Sequence, residues 1–162
     1  MQSNGSPGLG TLLRHLTELL DGDLERVYAA MQIDYRARYT PVYRVLLAND
    51  RPTIRDIAKQ AGMTHSAVSQ TVSHMARDGL VTLEPGRDRR QRLVRLTDKG
   101  ASLRKRLEQQ WALTGLAARQ LDGELSMPLS KILTEAIEAV ERAPFSQRIE
   151  AIRETIGAGE TA

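Results

Sequence analysis

Arginine and small polar side chains are concentrated in two neighbouring stretches of the chain, residues 65–77 and 87–95. The second stretch holds five arginines, and the first carries mainly serine, histidine and glutamine on its polar positions. Arginine binds phosphate oxygens through a planar fork of N–H donors and suits narrow minor grooves. Small hydrogen-bonding side chains let a helix approach the edges of base pairs closely. These residue types therefore favour binding to double-stranded DNA.

The positive charge of the chain lies in the same region. The whole chain has a formal net charge of +3, from 23 Lys and Arg and 20 Asp and Glu residues. Residues 51–100 contain ten of the basic and five of the acidic residues, so this segment carries +5 and the remainder −2. A basic segment of this kind is typical of a module that binds a polyanion.

Composition excludes several other classes of protein. With 162 residues, 41% of them hydrophobic, the chain suits one folded domain with appended helices. It has no cysteine, so it cannot form a disulfide or a thiolate metal site. There is no secretory signal and no membrane-spanning apolar run, and we expect a cytoplasmic protein. A Gly-rich phosphate loop, a nucleophile elbow and paired metal-binding histidines are absent, so we expect neither an enzyme nor a cofactor.

Two amphipathic helices joined by a short turn are predicted to carry the first polar stretch. Thr53 has the residue type of an N-cap, and Gly62 ends the first helix. Thr64 caps the second helix, and Gly79 lies where a left-handed C-terminal residue is wanted. This pattern predicts a helix-turn-helix. Thr53 and Thr64 are also candidate DNA-contacting residues.

A helical wheel of residues 65–77 separates two faces. The apolar arc consists of Ala67, Val68, Thr71, Val72 and Met75. The opposite arc consists of His65, Ser66, Ser69, Gln70, Ser73 and Arg77, with His74 on its flank. The polar arc is either a base-reading face or the ordinary solvent face of a packed helix; its lack of Lys, Glu and Asp favours base reading.

A basic hairpin is predicted directly after the helix-turn-helix. Leu80–Leu83 and Leu93–Leu96 have the composition of strands, and residues 84–92 join them. The candidate DNA-binding residues of this hairpin are Arg87, Asp88, Arg89, Arg90 and Arg92, with Asp88 bracing Arg90. A solvated charged hairpin is the alternative, but the position after a helix-turn-helix favours a DNA-binding wing.

Leucine-rich and isoleucine-rich stripes at both ends of the chain need a partner surface. One stripe starts at Leu9. Thr97-Asp98 is predicted to cap one continuous helix that runs to about Leu121, and further stripes follow Ser126 and Pro144. Thr40-Pro41 is predicted to open a short helix, with Thr40 as its N-cap. We expect a disordered tail (1–8), a dimerisation helix with a connecting helix (9–50), a DNA-binding domain (51–98) and C-terminal dimerisation helices (99–162).

An ordered set of motifs resembles the MarR family of winged-helix transcriptional regulators. The motifs are Arg55-Asp56-Ile57-Ala58, Ser66-Ala67-Val68-Ser69-Gln70, Asp78-Gly79-Leu80-Val81, Asp88-Arg89-Arg90 and Val94-Arg95-Leu96-Thr97-Asp98-Lys99-Gly100. The resemblance extends from about Leu9 to Gly159. It implies a mainly α fold with a small β wing of two to three strands, a winged helix-turn-helix, and N- and C-terminal dimerisation helices.

The resemblance also implies a homodimer on two-fold symmetric DNA, with one recognition helix in each of two successive major grooves about 34 Å apart. It assigns the groove-facing positions to His65, Ser66, Ser69, Gln70 and His74. It places Arg90 in a minor groove with Asp88 orienting it. This sequence departs from the family at His65, Gln70 and His74, where arginine is frequent, so affinity is expected to depend more on the wing.

A small aromatic or anionic effector is a further expected partner, because many relatives bind one near the dimer helices. The candidate lining residues are Tyr28, Tyr35, Arg38, Tyr39, Tyr43 and Trp111, with Arg36 and Arg44 nearby. The alternative, which we favour for each single residue, is that these side chains pack the dimer junction.

The sequence therefore predicts a homodimeric, sequence-specific DNA-binding regulator, expected to be a ligand-responsive repressor on a pseudo-palindromic operator. The competing interpretation is a winged-helix protein-interaction module without specific DNA binding. The polar recognition face disfavours that interpretation, because protein-binding surfaces are enriched in apolar and aromatic residues.

Overall fold

The structure is a computed structural model that describes residues 7–86 and 91–159. The chain divides into two compact units, Met1–Arg106 and Leu107–Ala162. The helices before the hairpin are α1 (Leu9–Ala30), α2 (Thr40–Ala48), α3 (Ile54–Ala61) and α4 (His65–Arg77). The hairpin and the later helices are β1 (Val81–Pro85), β2 (Arg92–Leu96), α5 (Asp98–Ser102), α6 (Arg104–Glu124), α7 (Leu129–Arg142) and α8 (Phe145–Gly159).

The predicted fold class, mainly α with a small β wing, is confirmed. Strands β1 and β2 pair antiparallel, from Val81 opposite Leu96 to Pro85 opposite Arg92. A third strand is reduced to a single bridge between Thr53 and Leu93, beside a hydrogen bond of 3.0 Å from the Val94 amide to the Pro52 carbonyl. The base of the wing is thereby tied to the start of α3.

Capping residues begin and end the helix-turn-helix where the sequence predicts. Thr53 and Asp56 form a capping box: the Thr53 hydroxyl accepts from the Asp56 amide, and the Asp56 carboxylate accepts from the Thr53 amide, both at 3.1 Å. Thr64 caps α4 by accepting from the Ala67 amide. Gly62 and Gly79 have φ angles of 63° and 73°, the left-handed conformation that glycine adopts at little cost.

Two local predictions outside the helix-turn-helix are wrong. Thr40 is not an N-cap, because a short 3-10 turn over Ala37–Tyr39 leads directly into α2 and leaves Thr40 already helical. The helix that follows Thr97 is not continuous: α5 ends at Ser102. The Leu103 amide bonds to the Gly100 carbonyl three residues back, which tightens this turn before α6 starts.

The core of the first unit lies among α2, α3, α4 and the base of the wing. Its largest fully buried side chains include Val42, Tyr43, Ile57, Val68, Val72, Met75, Leu80 and Val94. Helices α2 and α3 contribute the inner side of the helix-turn-helix, and Leu80 and Val94 attach the hairpin to it. This packing leaves the outer face of α4 free for other contacts.

Within the described part of the chain, no helix is both long and apolar enough to cross a membrane. Residues 7–86 and 91–159 likewise contain no group of three or more metal-ligating side chains arranged to hold an ion.

Candidate nucleic-acid interface

Helix α4 presents its polar residues outward, as the wheel predicts. Val68, Thr71, Val72 and Met75 are buried against the core. The exposed residues are His65, Ser66, Gln70, Ser73 and Arg77, and Ser69 and His74 are half-buried. The exposed face carries one positive charge, from Arg77, and no carboxylate. It can therefore approach base edges without like-charge repulsion from phosphate.

The N-termini of α3 and α4 differ in their electrostatics. At α3 the Asp56 carboxylate accepts from both the amide and the hydroxyl of Thr53, and these hydrogen bonds hold the pKa of Asp56 below its usual value. A negative charge thus covers the positive end of α3, where Thr53 was predicted to contact DNA. Helix α4 has Thr64 as its cap and no acidic residue in its first turn. Of the two ends, that of α4 better suits a backbone phosphate.

One serine hydroxyl on α4 donates its hydrogen bond within the helix itself. Ser73 donates to the Ser69 carbonyl at 2.8 Å, so its oxygen is left to accept a hydrogen bond from a partner. Ser66 and Gln70 are exposed near the start and middle of the helix. An amide that both donates and accepts, as in Gln70, matches the paired donor and acceptor of adenine in the major groove.

His74 lies among arginines at the C-terminal half of α4. The pKa of His74 is lowered, first by desolvation and then by the positive charges of Arg77, Arg38 and Arg36, with Asp78 opposing them. The imidazole is therefore neutral near neutral pH and offers one donor and one acceptor in place of a charge.

The wing is described only at its base. Arg92 and Arg95 are exposed on β2, and Arg92 pairs with Pro85 at the last described position of the hairpin. The other predicted wing residues, Arg87, Asp88, Arg89 and Arg90, lie outside the described residues.

Sequence reasoning missed the polar cluster at the C-terminal end of α4. Asp78, the residue after the helix, accepts a hydrogen bond of 2.7 Å from the Tyr39 hydroxyl and lies 3.6 Å from Nε of Arg36. Lys99 Nζ donates to the Asp78 carbonyl at 2.7 Å. A signal was present in the sequence, since an acidic residue at a helix C-terminus opposes the helix dipole and needs another explanation.

Four of the six predicted ligand-binding residues are interior packing residues in the first unit. Tyr28, Tyr35, Tyr39 and Tyr43 are at most 5% exposed. Tyr35 meets the other three rings edge to face, at centroid distances of 5.2 to 5.7 Å. Burial raises the pKa of Tyr35 well above its usual value. This arrangement has the geometry of a packed aromatic cluster.

Arg38 and Trp111 are placed differently from the tyrosines. Arg38 is exposed, with its guanidinium carbon 5.9 Å from the Tyr39 ring centroid, and Trp111 belongs to the second unit. A cavity of about 240 Å³ does lie beside the cluster, but its lining includes only Tyr35 of the predicted set. The remaining lining residues are Glu25, Ala29, Ile33, Asp34 and Arg36.

A helix-turn-helix that leads directly into a two-stranded antiparallel hairpin makes this chain a winged helix-turn-helix protein. Residues 42–91, which run from within α2 to the residue before β2, match a family model described as MarR family. This match and the shared fold support a winged-helix protein similar to the MarR family of transcriptional regulators. A search of curated protein sequences finds no match.

Solved structures share the fold over most of the chain. A MarR family transcriptional regulator from Silicibacter pomeroyi is 26% identical, with a TM-score of 0.56, covering 82% of this chain and 94% of its own. The M. tuberculosis transcriptional regulator MOSR, solved in complex with DNA, is 18% identical, with a TM-score of 0.67 and coverage of 86% and 100%. PcaV from Streptomyces coelicolor, solved with its natural ligand, is 23% identical, with a TM-score of 0.58 and coverage of 86% and 98%.

Proposed function

We propose that the protein is a homodimer that binds a pseudo-palindromic operator and represses transcription, with a small ligand as its effector. The observation that carries the DNA-binding part is the outer face of α4. This face is exposed, free of carboxylates and built from small hydrogen-bonding side chains, and it is followed at once by a basic hairpin. MOSR, which shares the fold and was solved in complex with DNA, supports a DNA-binding function.

Base reading is assigned to α4, and charge neutralisation to the wing. His65, Ser66, Ser69, Gln70, Ser73 and His74 are the proposed groove-facing residues. Thr53, Thr64, Arg77, Arg87, Asp88, Arg89, Arg90 and Arg92 are the proposed backbone-contacting residues. Asp88 acts by orienting Arg90, and Thr53 is the weakest member because Asp56 lies beside it.

The homodimer is supported by apolar side chains that the single chain leaves exposed. On α1 the exposed leucines are Leu9, Leu12, Leu13, Leu19 and Leu20. On α7 and α8 the exposed apolar residues are Ile132, Ile137, Val140, Phe145, Ile149, Ile152 and Ile156. Exposed apolar areas of this extent mark association surfaces. Residues 9–50 and 99–162 are thus proposed for dimerisation and residues 51–98 for DNA binding.

The effector is proposed as a small aromatic or anionic molecule. PcaV, which shares the fold and was solved with its natural ligand, supports the presence of a small-molecule site. Arg38 is the exposed member of the proposed lining and would supply the contact to an anion. The buried tyrosines would contribute only after a rearrangement of their cluster.

A protein-interaction module without specific DNA binding is the second candidate. It would be expected to carry apolar or aromatic residues on the exposed face of α4. That face has none, and the match of residues 42–91 to the MarR family model likewise favours a regulator over an enzyme.

Gln70→Ala is expected to weaken binding to the cognate operator by about 1–3 kcal/mol, because a hydrogen-bonding pair to a base edge is lost. Binding to random DNA should change little, since non-specific affinity depends on phosphate contacts. Fluorescence anisotropy with an operator selected from random DNA measures both affinities. Gln109→Ala on the exposed side of α6 is the matched control and should leave both unchanged. Equal losses on the two DNAs would make Gln70 a backbone-contacting residue.

Arg90→Ala is expected to reduce the slope of log affinity against log salt by about one, because one fewer counterion is released on binding. The measurement is a salt titration of operator binding from low to physiological ionic strength. Arg119→Ala, which removes an exposed arginine from α6, should keep the wild-type slope. An unchanged slope for Arg90→Ala would remove this residue from the phosphate-binding set.

A further inference from the structure

We propose that Asp78 is a positioning residue that fixes the direction of α4 relative to α1, and thereby sets the spacing between the two half-sites that the dimer reads. The connection consists of Tyr28, Tyr35, Tyr39 and Asp78, which we call the tyrosine relay. This inference rests on the proposed function, because half-site spacing has meaning only for a dimer on DNA. It assigns the tyrosines a mechanical role instead of a ligand-binding one.

The end of α4 is held by side chains from two other parts of the chain. From the segment between α1 and α2, the Tyr39 hydroxyl donates to the Asp78 carboxylate at 2.7 Å, and Nε of Arg36 lies 3.6 Å from the same oxygen. From α5, Lys99 Nζ donates to the Asp78 carbonyl at 2.7 Å and pairs with Asp34 at 3.3 Å. Both the side chain and the backbone of Asp78 are therefore fixed.

Helix stability does not explain an aspartate at this position. A carboxylate beside the C-terminus of a helix is repelled by the partial negative charge of the last carbonyls. Asp78 follows Arg77, the last residue of α4, and its side chain is 20% exposed. The contacts with Tyr39 and Arg36 offset this repulsion. The contribution of Asp78 is therefore to connect α4 to the segment between α1 and α2.

The other end of the relay is part of α1 itself. Tyr28 lies in the last turns of α1, and its ring meets that of Tyr35 at 5.2 Å; Tyr35 meets Tyr39 at 5.7 Å. All three rings are buried, and the pairs are nearly perpendicular. Buried aromatic pairs in this geometry resist displacement because interiors are close-packed. A change in the direction of α4 would thus have to disturb a continuous set of contacts that reaches α1.

The segment that carries the relay is anchored along its length. Buried residues alternate with exposed ones: Ile33, Tyr35, Ala37 and Tyr39 point inward, and the residues between them point outward. The Ile33 amide donates to the Tyr28 carbonyl at 2.9 Å, and the Arg106 side chain donates to the Met31 carbonyl. Packing and hydrogen bonds therefore hold the segment between α1 and α2 in place along its length, which disfavours a hinge there.

The Tyr39 hydroxyl stays protonated over the physiological pH range. Burial, followed by the hydrogen bond to Asp78, raises the pKa of Tyr39. The phenol therefore keeps its proton and remains the donor in this hydrogen bond.

The half-site spacing that the dimer prefers depends on the direction of α4, because DNA is helical. Adding one base pair moves a half-site by about 3.4 Å and rotates it by about 35°, since one turn takes 10–10.5 base pairs over 34–36 Å. A rigid dimer discriminates sharply against such a change. A dimer whose recognition helices are no longer held to α1 tolerates it better.

The test compares operators whose spacer is native, one base pair longer or one base pair shorter, together with a single half-site probe. For Asp78→Ala, we expect the preference for the native spacer to fall by about fivefold or more, a typical coupling between sites. Affinity for the single half-site should stay within about twofold of wild type. Asp78→Asn keeps an oxygen that accepts from Tyr39 and should restore part of the preference, and Tyr39→Phe, which keeps the ring, should lower it.

Asp98→Asn removes an exposed carboxylate from the first turn of α5 and is the matched control, expected to keep the wild-type spacing preference. A parallel loss on every probe, or an unchanged preference in Asp78→Ala, would overturn the positioning role. A wild-type protein that binds no two-fold site would instead overturn the proposed function, and this inference with it. The two failures are therefore distinguishable.

Discussion

Gly100→Ala is expected to destabilise the protein by about 3 kcal/mol, which lies at the upper end of the range for overpacking a core. Gly100 is buried in α5, directly after the wing. A Cβ at this position would lie far inside van der Waals contact with the Leu80 carbonyl oxygen. Because the nearest atom belongs to the backbone, no side-chain rotation relieves the clash.

The surrounding hydrogen bonds explain why the backbone cannot simply move aside. The Leu80 carbonyl accepts from the Thr97 amide at 3.0 Å, and the Leu80 amide donates to the Met75 carbonyl at 2.9 Å. The Tyr43 hydroxyl donates to the Gly100 carbonyl at 2.5 Å in the buried interior. A shift of either segment would break at least one of these bonds, and an unsatisfied buried group costs about 1–3 kcal/mol.

Thermal unfolding at fixed protein concentration measures the effect. A loss of about 3 kcal/mol corresponds to a fall in Tm of roughly 6–12 °C for a chain of this size. Gly115→Ala in α6 is the matched control, because a Cβ there meets nothing within 4 Å. It should keep or raise Tm, since alanine is favoured over glycine in a helix by about 1 kcal/mol. A wild-type Tm for Gly100→Ala would show that the contact with Leu80 relaxes freely.

The double substitution Ile152→Asp with Ile156→Asp is expected to weaken self-association by at least about a hundredfold. The two isoleucines lie on one side of α8 with Phe145 and Ile149, and they are 59% and 60% exposed in the single chain. In a two-fold interface each substitution acts twice. Burying an isoleucine side chain contributes about 1.5–3 kcal/mol, and a buried unpaired carboxylate adds a further penalty.

Sedimentation equilibrium over a range of concentrations tests this expectation, because the 18.0 kDa chain and its dimer differ twofold in mass. Gln147→Asp is the matched control, since it places the same charge on the opposite side of α8. It should leave the dissociation constant unchanged. If the double variant remains as tightly associated as wild type, α8 does not contribute to the dimer.

Local sequence signals predicted the helix-turn-helix well. Thr53, Thr64 and Thr97 cap the helices that follow them, and Gly62 and Gly79 adopt the left-handed conformation expected after a helix. These features depend on residues within about four positions along the chain, so the sequence alone contains them. The same holds for the polar face of α4, which follows from helical periodicity.

Predictions that depended on distant contacts were less successful. Thr40 has the type of an N-cap, but the 3-10 turn before it makes the segment already helical. The tyrosines were candidate ligand-binding residues with packing favoured for each one, and the structure packs all four in the interior, where spacing alone could not place them. In both cases the outcome is decided by packing between segments, which composition and spacing do not report.

The sequence by itself determined the class of protein: capped helices, a polar recognition face and a basic hairpin in the order of a winged helix-turn-helix. Only the tertiary structure decided how these parts are joined. Asp78 meets Tyr39, 39 residues away, and Tyr43 meets Gly100, 57 residues away. Residue pairs this far apart produce no local pattern in the sequence. They meet only when the core packs and closes the chain between them.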